Sequence, residues 1–166
     1  MPRDLSIRRF DPADADGVWD VHEAALRASA LAFVEEAAID DDILGVESHY
    51  IEADGEFLVG EVAGDASDRD GPEIVAIGGY LPIDEERVEI KRMRVDPEYQ
   101  RQGFASAILE ELETRASEAC YGVAELETVE PLQAAQAFYE AAGYEVVETS
   151  VDEMTGITRY RYRTEL

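Results

Sequence analysis

The sequence predicts an α/β domain, a mixed β-sheet of about seven strands flanked by about four helices. Three observations carry that prediction. Apolar residues switch between the two-residue period of strands and the 3.6-residue period of helices, in the order β, α, α, β, β, β, α, β, α, β, β. Val88 to Ala116 joins a β-branched run to an amphipathic helix through a tight polar loop, Gln100-Arg101-Gln102-Gly103-Phe104-Ala105. The chain has 166 residues, 46% of them hydrophobic and 32% charged, with no low-complexity stretch or long linker, so residues 1–166 are expected to form one domain.

The elements follow in order. Leu5, Ile7 and Phe10 suggest an opening strand. Asp11-Pro12 ends it and starts a helix, with Asp11 as N-cap and Pro12 at the first helical position, where its missing N–H is not needed. Val18, Val21, Ala25, Leu26 and Ala28 recur at helical spacing, and a second, acidic helical stretch covers roughly Glu35 to Tyr50. Glu56 to Val62 reads as a strand, and Asp65 to Pro72 as a hairpin loop. Ile74 to Leu81 is apolar enough for an interior strand, in which Gly78 and Gly79 leave room for another backbone or a ligand. The Val88–Val95 strand, the polar loop and a helix carrying Phe104, Ala105, Ile108, Leu109 and Leu112 come next. Val123 to Val129 is a further strand. Pro131 begins a helix ending at Gly143, which suits a C′ residue in the left-handed region. Val146-Val147 and Thr158 to Thr164 supply the last two strands.

Asp and Glu number 39 against 14 Lys plus Arg, a net charge of −25, and Lys91 is the only lysine. The carboxylates are dispersed along the chain. Such a surface resembles the proteins of salt-accumulating halophiles, where ionic strength screens self-repulsion; the alternative is recruitment of a strongly basic partner. No sustained basic face is present, which argues against a nucleic-acid partner. No apolar run approaches the ~18–20 residues of a membrane span, and Met1 to Phe10 has charges but no apolar run behind them, unlike a signal peptide. Cys120, the single cysteine, excludes an internal disulfide and gives no metal cluster. A cytoplasmic protein with no metal, no membrane and no nucleic-acid partner is the expectation.

Against this acidic background Arg87, Lys91, Arg92, Arg94 and Arg101 gather around the polar loop. A strand–loop–helix junction aims unpaired backbone N–H groups at whatever lies before the helix, an arrangement that suits a phosphate. Gly103 and Ala105 keep bulk away from a close-approaching ligand. The spacing alone fits an ordinary helix start equally well. Neither a G-x-x-x-x-G-K-[ST] loop nor a G-x-G-x-x-G after the first strand is present, which weakens nucleotide binding as a reading.

Residues 92–109, R-M-R-V-D-P-E-Y-Q-R-Q-G-F-A-S-A-I-L, resemble the acetyl-coenzyme A motif of the GNAT superfamily of N-acetyltransferases. Ala135-x-x-x-Tyr139-x-x-x-Gly143-Tyr144 resembles a second segment of that family, at the right distance. The likeness spans Leu5 to about Tyr162. It implies a GNAT-type fold with a mostly antiparallel central sheet and acetyl-coenzyme A as co-substrate. It also implies direct attack of a primary amine, on a small molecule or a peptide, in a ternary complex. Met93, Arg94 and Val95 would face the pantetheine arm, and Gln100, Arg101, Gln102, Gly103, Phe104, Ala105 and Ser106 would hold the pyrophosphate. Tyr139 matches the tyrosine that protonates the departing thiolate, and Glu89 the strand glutamate that deprotonates the amine. Dimers are frequent in that family, so a homodimer is one expectation. In place of the family's asparagine this chain has Leu132, with Gln133 beside it as a substitute.

The residue types suit the chemistry. A carboxylate, or a water it orients, can take a proton from an amine. A phenol can give one to a sulfur, and N–H groups on a splayed strand can polarise a thioester carbonyl. Each candidate also has a plainer reading. Tyr139 beside Phe138, Ala134 and Ala135 fits a core tyrosine, and Glu89 fits one more solvated carboxylate, with Glu127 as a rival base. His22 and His49 read as surface histidines, and Cys120 as a small apolar helix-end residue. Arg159, Arg161 and Arg163 alternate with Tyr160 and Tyr162, as on a half-exposed strand. The rival to an enzyme is a non-catalytic acyl-coenzyme A-binding module that senses the cofactor or regulates a partner.

Overall fold

The computed structural model describes residues 4–28, 41–64 and 71–166. Its strands are β1 (Leu5–Arg9), β2 (Glu56–Val62), β3 (Glu73–Pro82), β4 (Arg87–Val95), β5 (Val123–Val129), β6 (Glu145–Val151) and β7 (Thr158–Glu165). Its helices are α1 (Ala15–Ala28), α2 (Asp41–Leu44), α3 (Phe104–Glu118) and α4 (Gln133–Ala141). The seven strands form one mixed sheet in the order β1-β2-β3-β4-β5-β7-β6. β1 to β4 are antiparallel neighbours, β5 runs parallel to β4, and β7 pairs antiparallel with both β5 and β6. The expected element order and sheet character hold.

Each face of the sheet buries its own core, as the two-residue period of strands requires. On one face Leu58, Ala76, Tyr80, Val88, Ile90, Ala124 and Leu126 pack with Phe104, Ile108, Leu109 and Leu112 of α3 and with Tyr139, Tyr144 and Tyr162. On the other, Phe57, Val59 and Ile77 meet Val18 and Val21 of α1, Ile43 of α2, Val46 and Tyr50. Asp11 caps a short 3-10 turn, Pro12–Asp14, which leads into α1; its side chain accepts from the Ala13 amide, and Asp14 accepts from the Asp11 amide in return.

Several expectations need correction. Of the acidic helical stretch predicted over Glu35 to Tyr50, residues 35–40 lie outside the described residues; the rest forms α2 and a separate π-helical turn, Glu47–Ile51. Residues 65–70 of the predicted hairpin loop are likewise outside. His22 is fully buried, one turn beyond Val18 on the inner face of α1, while His49 is exposed as expected. Cys120 is exposed, just past the end of α3 at φ 73°, and not packed as an apolar residue. The space at Gly78 and Gly79 serves packing and not a ligand. A Cβ on Gly78 would lie 2.5 Å from the Met93 sulfur and 2.7 Å from Ile108 Cγ2, and one on Gly79 would lie 2.8 Å from the Phe57 ring.

Two irregularities shape the centre of the sheet. The β4–β5 pairing stops after Glu89↔Glu125, so the strands fork beyond that rung. Between Ile77↔Arg94 and Gly79↔Lys91, two residues of β4, Arg92 and Met93, oppose the single Gly78 of β3. That is a β-bulge, and Arg92 sits in it at φ 59°.

Candidate active site

The polar loop begins with Asp96, whose carboxylate accepts from the Glu98 amide and caps the turn Pro97–Tyr99. Gln100 is extended and donates its side-chain amide to the Val95 carbonyl at 3.2 Å, tying loop to strand. Gly103 then takes φ 82° immediately before α3. Nothing lies within 4 Å of a Cβ placed there, so glycine serves the backbone angle and not a tight contact. The first intrahelical bond of α3 runs from the Ala107 amide to the Gly103 carbonyl, leaving the amides of Phe104, Ala105 and Ser106 without intrahelical acceptors.

Those residues line a cleft of about 500 Å³ together with Met93, Arg94, Val95, Gln100, Arg101 and Gly103. Of the ten residues expected to hold the donor, Gln102 alone is not in its lining. Tyr99, Ala134, Ala135 and Phe138 line the cleft too. The sequence names Ala135 in the second family segment and Ala134 and Phe138 beside Tyr139, without assigning any of the four to the donor; the helical spacing of Ala134, Ala135 and Phe138 with Tyr139 is the signal that points to that wall. The expected basic cluster shrinks: Arg87 is bound to Glu125 and Asp84, Lys91 lies 3.6 Å from Glu89, and Arg92 is bound to Asp42. Arg94 and Arg101 remain in the cleft wall.

A second cavity, about 320 Å³, fills the fork between β4 and β5. Glu89 and Lys91 line it from β4, Leu126 to Val129 from β5, and Leu132 and Tyr139 from the α4 side. The two cavities share Met93, Arg94, Ala135 and Tyr139. The structure therefore brings Tyr139 and Glu89 to one cavity, with Tyr139 also on the wall of the loop cleft. Leu132 stands in the fork wall, whereas Gln133 is exposed; Gln136, which lines neither cavity, ties α4 to the end of β5 by donating to the Val129 and Glu130 carbonyls.

Tyr139 is 8% exposed, with its ring edge-on to Phe138 and Tyr144. Burial pushes its hydroxyl up to about 12, the Arg94 charge opposing in part, so it is a protonated donor at neutral pH. Glu89 Oε2 accepts from Arg161 Nη1 at 3.1 Å. Glu127, the rival base, is more exposed and accepts from Arg159 at 3.2 Å.

The sequence reading missed Glu125. It is 1% exposed and accepts from Arg161 Nε at 2.7 Å, Arg87 Nη1 at 2.8 Å and Arg163 Nη2 at 3.0 Å. Burial alone would raise its carboxyl, but the three guanidiniums hold it below the usual range. The alternating arginines of β7 are thus cross-strand partners of the acidic face of β5, in register Glu125↔Arg163 and Glu127↔Arg161. Tyr162, on the opposite face, is buried and donates to Glu140 of α4.

A seven-stranded mixed sheet forked at its centre, with a glycine-opened helix start beside the fork, defines the class. Residues 4–144 match the acetyltransferase (GNAT) family, and the chain belongs to it. Among solved structures it resembles a GNAT-family acetyltransferase from Staphylococcus aureus Mu50, with a TM-score of 0.80 at 16% identity over 98% of this chain and 99% of that one. It also resembles the PaiA N-acetyltransferase from Thermoplasma acidophilum in complex with coenzyme A, with a TM-score of 0.75 at 17% identity over 98% and 99%. A third likeness is the ribosomal-protein-S18-alanine N-acetyltransferase from Escherichia coli, with a TM-score of 0.71 at 16% identity over 98% and 94%. No curated protein sequence matches the chain. Among the described residues no helix is long and apolar enough to cross a membrane, and no cluster of side chains forms a metal site.

Proposed function

We propose that the chain is an N-acetyltransferase that moves the acetyl group of acetyl-coenzyme A to a primary amine by direct attack in a ternary complex, with residues 1–166 as one catalytic domain. The observation that carries this reading is the junction of the two cavities at Tyr139: one is lined by the loop amides and the other by Glu89. The amides of Phe104, Ala105 and Ser106 hold the pyrophosphate, and the Met93–Val95 backbone holds the arm that leads to the fork. The amine nitrogen forms its bond to the thioester carbon while the carbon–sulfur bond breaks. Glu89, directly or through water, takes the proton the amine loses, and the Tyr139 hydroxyl gives one to the sulfur. Holding the two reactants together supplies most of the acceleration. The acceptor is an amine on a small molecule or a peptide.

One observation favours a non-catalytic acyl-coenzyme A-binding module: Glu89 already has Arg161 at 3.1 Å and Lys91 at 3.6 Å. A thiol-release assay with acetyl-coenzyme A and a panel of amines, at low and at molar salt, separates the two. Transfer to at least one amine is expected, with Tyr139→Phe lowering turnover roughly hundredfold and leaving acetyl-coenzyme A affinity unchanged. Cofactor binding without transfer to any amine would instead establish the binding module.

A further inference from the structure

We propose that Asp42 is a positioning residue for the donor site: its ion pair with Arg92 holds the bulge of β4 in the form that presents the Met93–Val95 backbone to the cleft. The inference rests on the donor site assigned above. Arg92 occupies the left-handed region, at φ 59°, in a two-against-one bulge opposite Gly78. In bulges of this kind that position is commonly glycine, because a Cβ makes the left-handed backbone unfavourable. Something must offset the cost of an arginine there.

Asp42 is placed to do so. Arg92 Nε donates to Asp42 Oδ2 at 2.9 Å and Nη2 to Oδ1 at 2.6 Å, a two-point grip that fixes the guanidinium plane. Both side chains are largely shielded, at 16% and 18% exposure, so water screens the pair weakly. The carboxylate is itself held by the hydroxyl of Tyr50, a fully buried residue whose ring packs edge-on against Phe57. The chain of contacts runs from the core beneath α2, through one carboxylate, to the residue before Met93. Met93 is one of the four residues that line both cavities. Asp42 lines neither cavity, so it acts through Arg92.

The test compares wild type, Asp42→Ala and the double variant Asp42→Ala/Arg92→Gly by calorimetric titration with acetyl-coenzyme A, alongside NMR backbone shifts at Arg92. Asp42→Ala is expected to bind about tenfold more weakly, with Arg92 leaving the left-handed region. The double variant is expected to recover most of that loss, since glycine adopts the angle freely. A merely structural pair would lower the unfolding temperature in both variants and spare the affinity. The proposal is overturned if Asp42→Ala binds like wild type, if the glycine gives no recovery, or if Arg92 keeps its positive φ without Asp42. Should Asp42→Ala not fold, Asp42→Asn takes its place under the same criteria. If wild type binds no acetyl-coenzyme A, the donor-site reading fails, and the NMR arm alone decides what Asp42 does to the bulge.

Discussion

Glu89 and Glu125 face each other across the last rung on which β4 and β5 pair, and one guanidinium, that of Arg161, binds both carboxylates. Two like charges on one rung repel. Arg161 from β7 resolves this, and Arg87 and Arg163 add their charges to Glu125. The fork therefore opens from a rung pinned by charge-assisted hydrogen bonds.

Removing the centre of that cluster is costly, because it leaves a buried gap and takes the shared acceptor from three guanidiniums, of which Arg87 keeps Asp84 and Arg161 keeps Glu89. Glu125→Ala is expected to destabilise the fold by about 3–5 kcal/mol, read from urea unfolding. Glu148→Ala, on the exposed edge strand β6, is expected to change stability by less than about 0.5 kcal/mol.

The same cluster, with two other ion-paired carboxylates, is expected to contribute to the acid response. The carboxyl of Glu125 is held below its ordinary 4.5, and those of Asp14 and Asp42 below 3.8, by Arg161, Arg8 and Arg92 respectively. Folded values below the unfolded ones mean that the stabilisation is complete above the unfolded values and is lost as pH falls through the folded ones. Unfolding temperature is expected to drop as pH falls below 4.5, with a shallower drop in Glu125→Gln. Equal slopes in the two proteins would show that Glu125 is not part of the acid response.

Tyr139, with its hydroxyl pushed up to about 12 by burial, stays protonated throughout the neutral range. Turnover is expected to show no alkaline loss assignable to this group up to about pH 10. A descending limb near pH 8 that vanishes in Tyr139→Phe would contradict the assignment.

Two glycines are expected to respond to alanine for different reasons. Gly78→Ala drives a methyl into Met93 and Ile108 and is expected to cost about 1–3 kcal/mol. Gly103→Ala meets open space, and its cost of about 1 kcal/mol comes from the backbone angle. Asparagine, which tolerates the left-handed region, should restore part of the stability at 103 and none at 78.

With a net charge of −25, the folded chain repels itself in dilute buffer. Its unfolding temperature is expected to rise steadily between low and molar potassium chloride. A flat response would remove the halophile-like reading of the composition.

What could be read in advance was local. Val123–Val129 is recognisable as a strand because Gly122 and Pro131 bracket it, and the loop before α3 because a glycine stands between a polar run and an amphipathic helix, although its role there is the backbone angle and not room for a ligand. The long-range pairs were hidden. Arg87 lies 38 positions from Glu125 and Arg92 lies 50 from Asp42, so nothing near either acid marks it as paired in a chain crowded with carboxylates. His22 was obscured in the same way, its alignment with Val18 masked by Asp20 and Glu23 alongside.

The early end of the β4–β5 ladder has a consequence for how the protein behaves without its substrates. Ordinary sheets keep their unpaired edges at the rim, where lysine, proline or a bulge discourages visitors. Here the sheet carries a second pair of edges in its middle, along the β4 and β5 segments beyond Glu89 and Glu125. An extended molecule rich in amides can lie in such a slot as an eighth strand would. If the donor lies where proposed above, loading the slot is expected to complete the sheet and to slow amide exchange along its two inner edges.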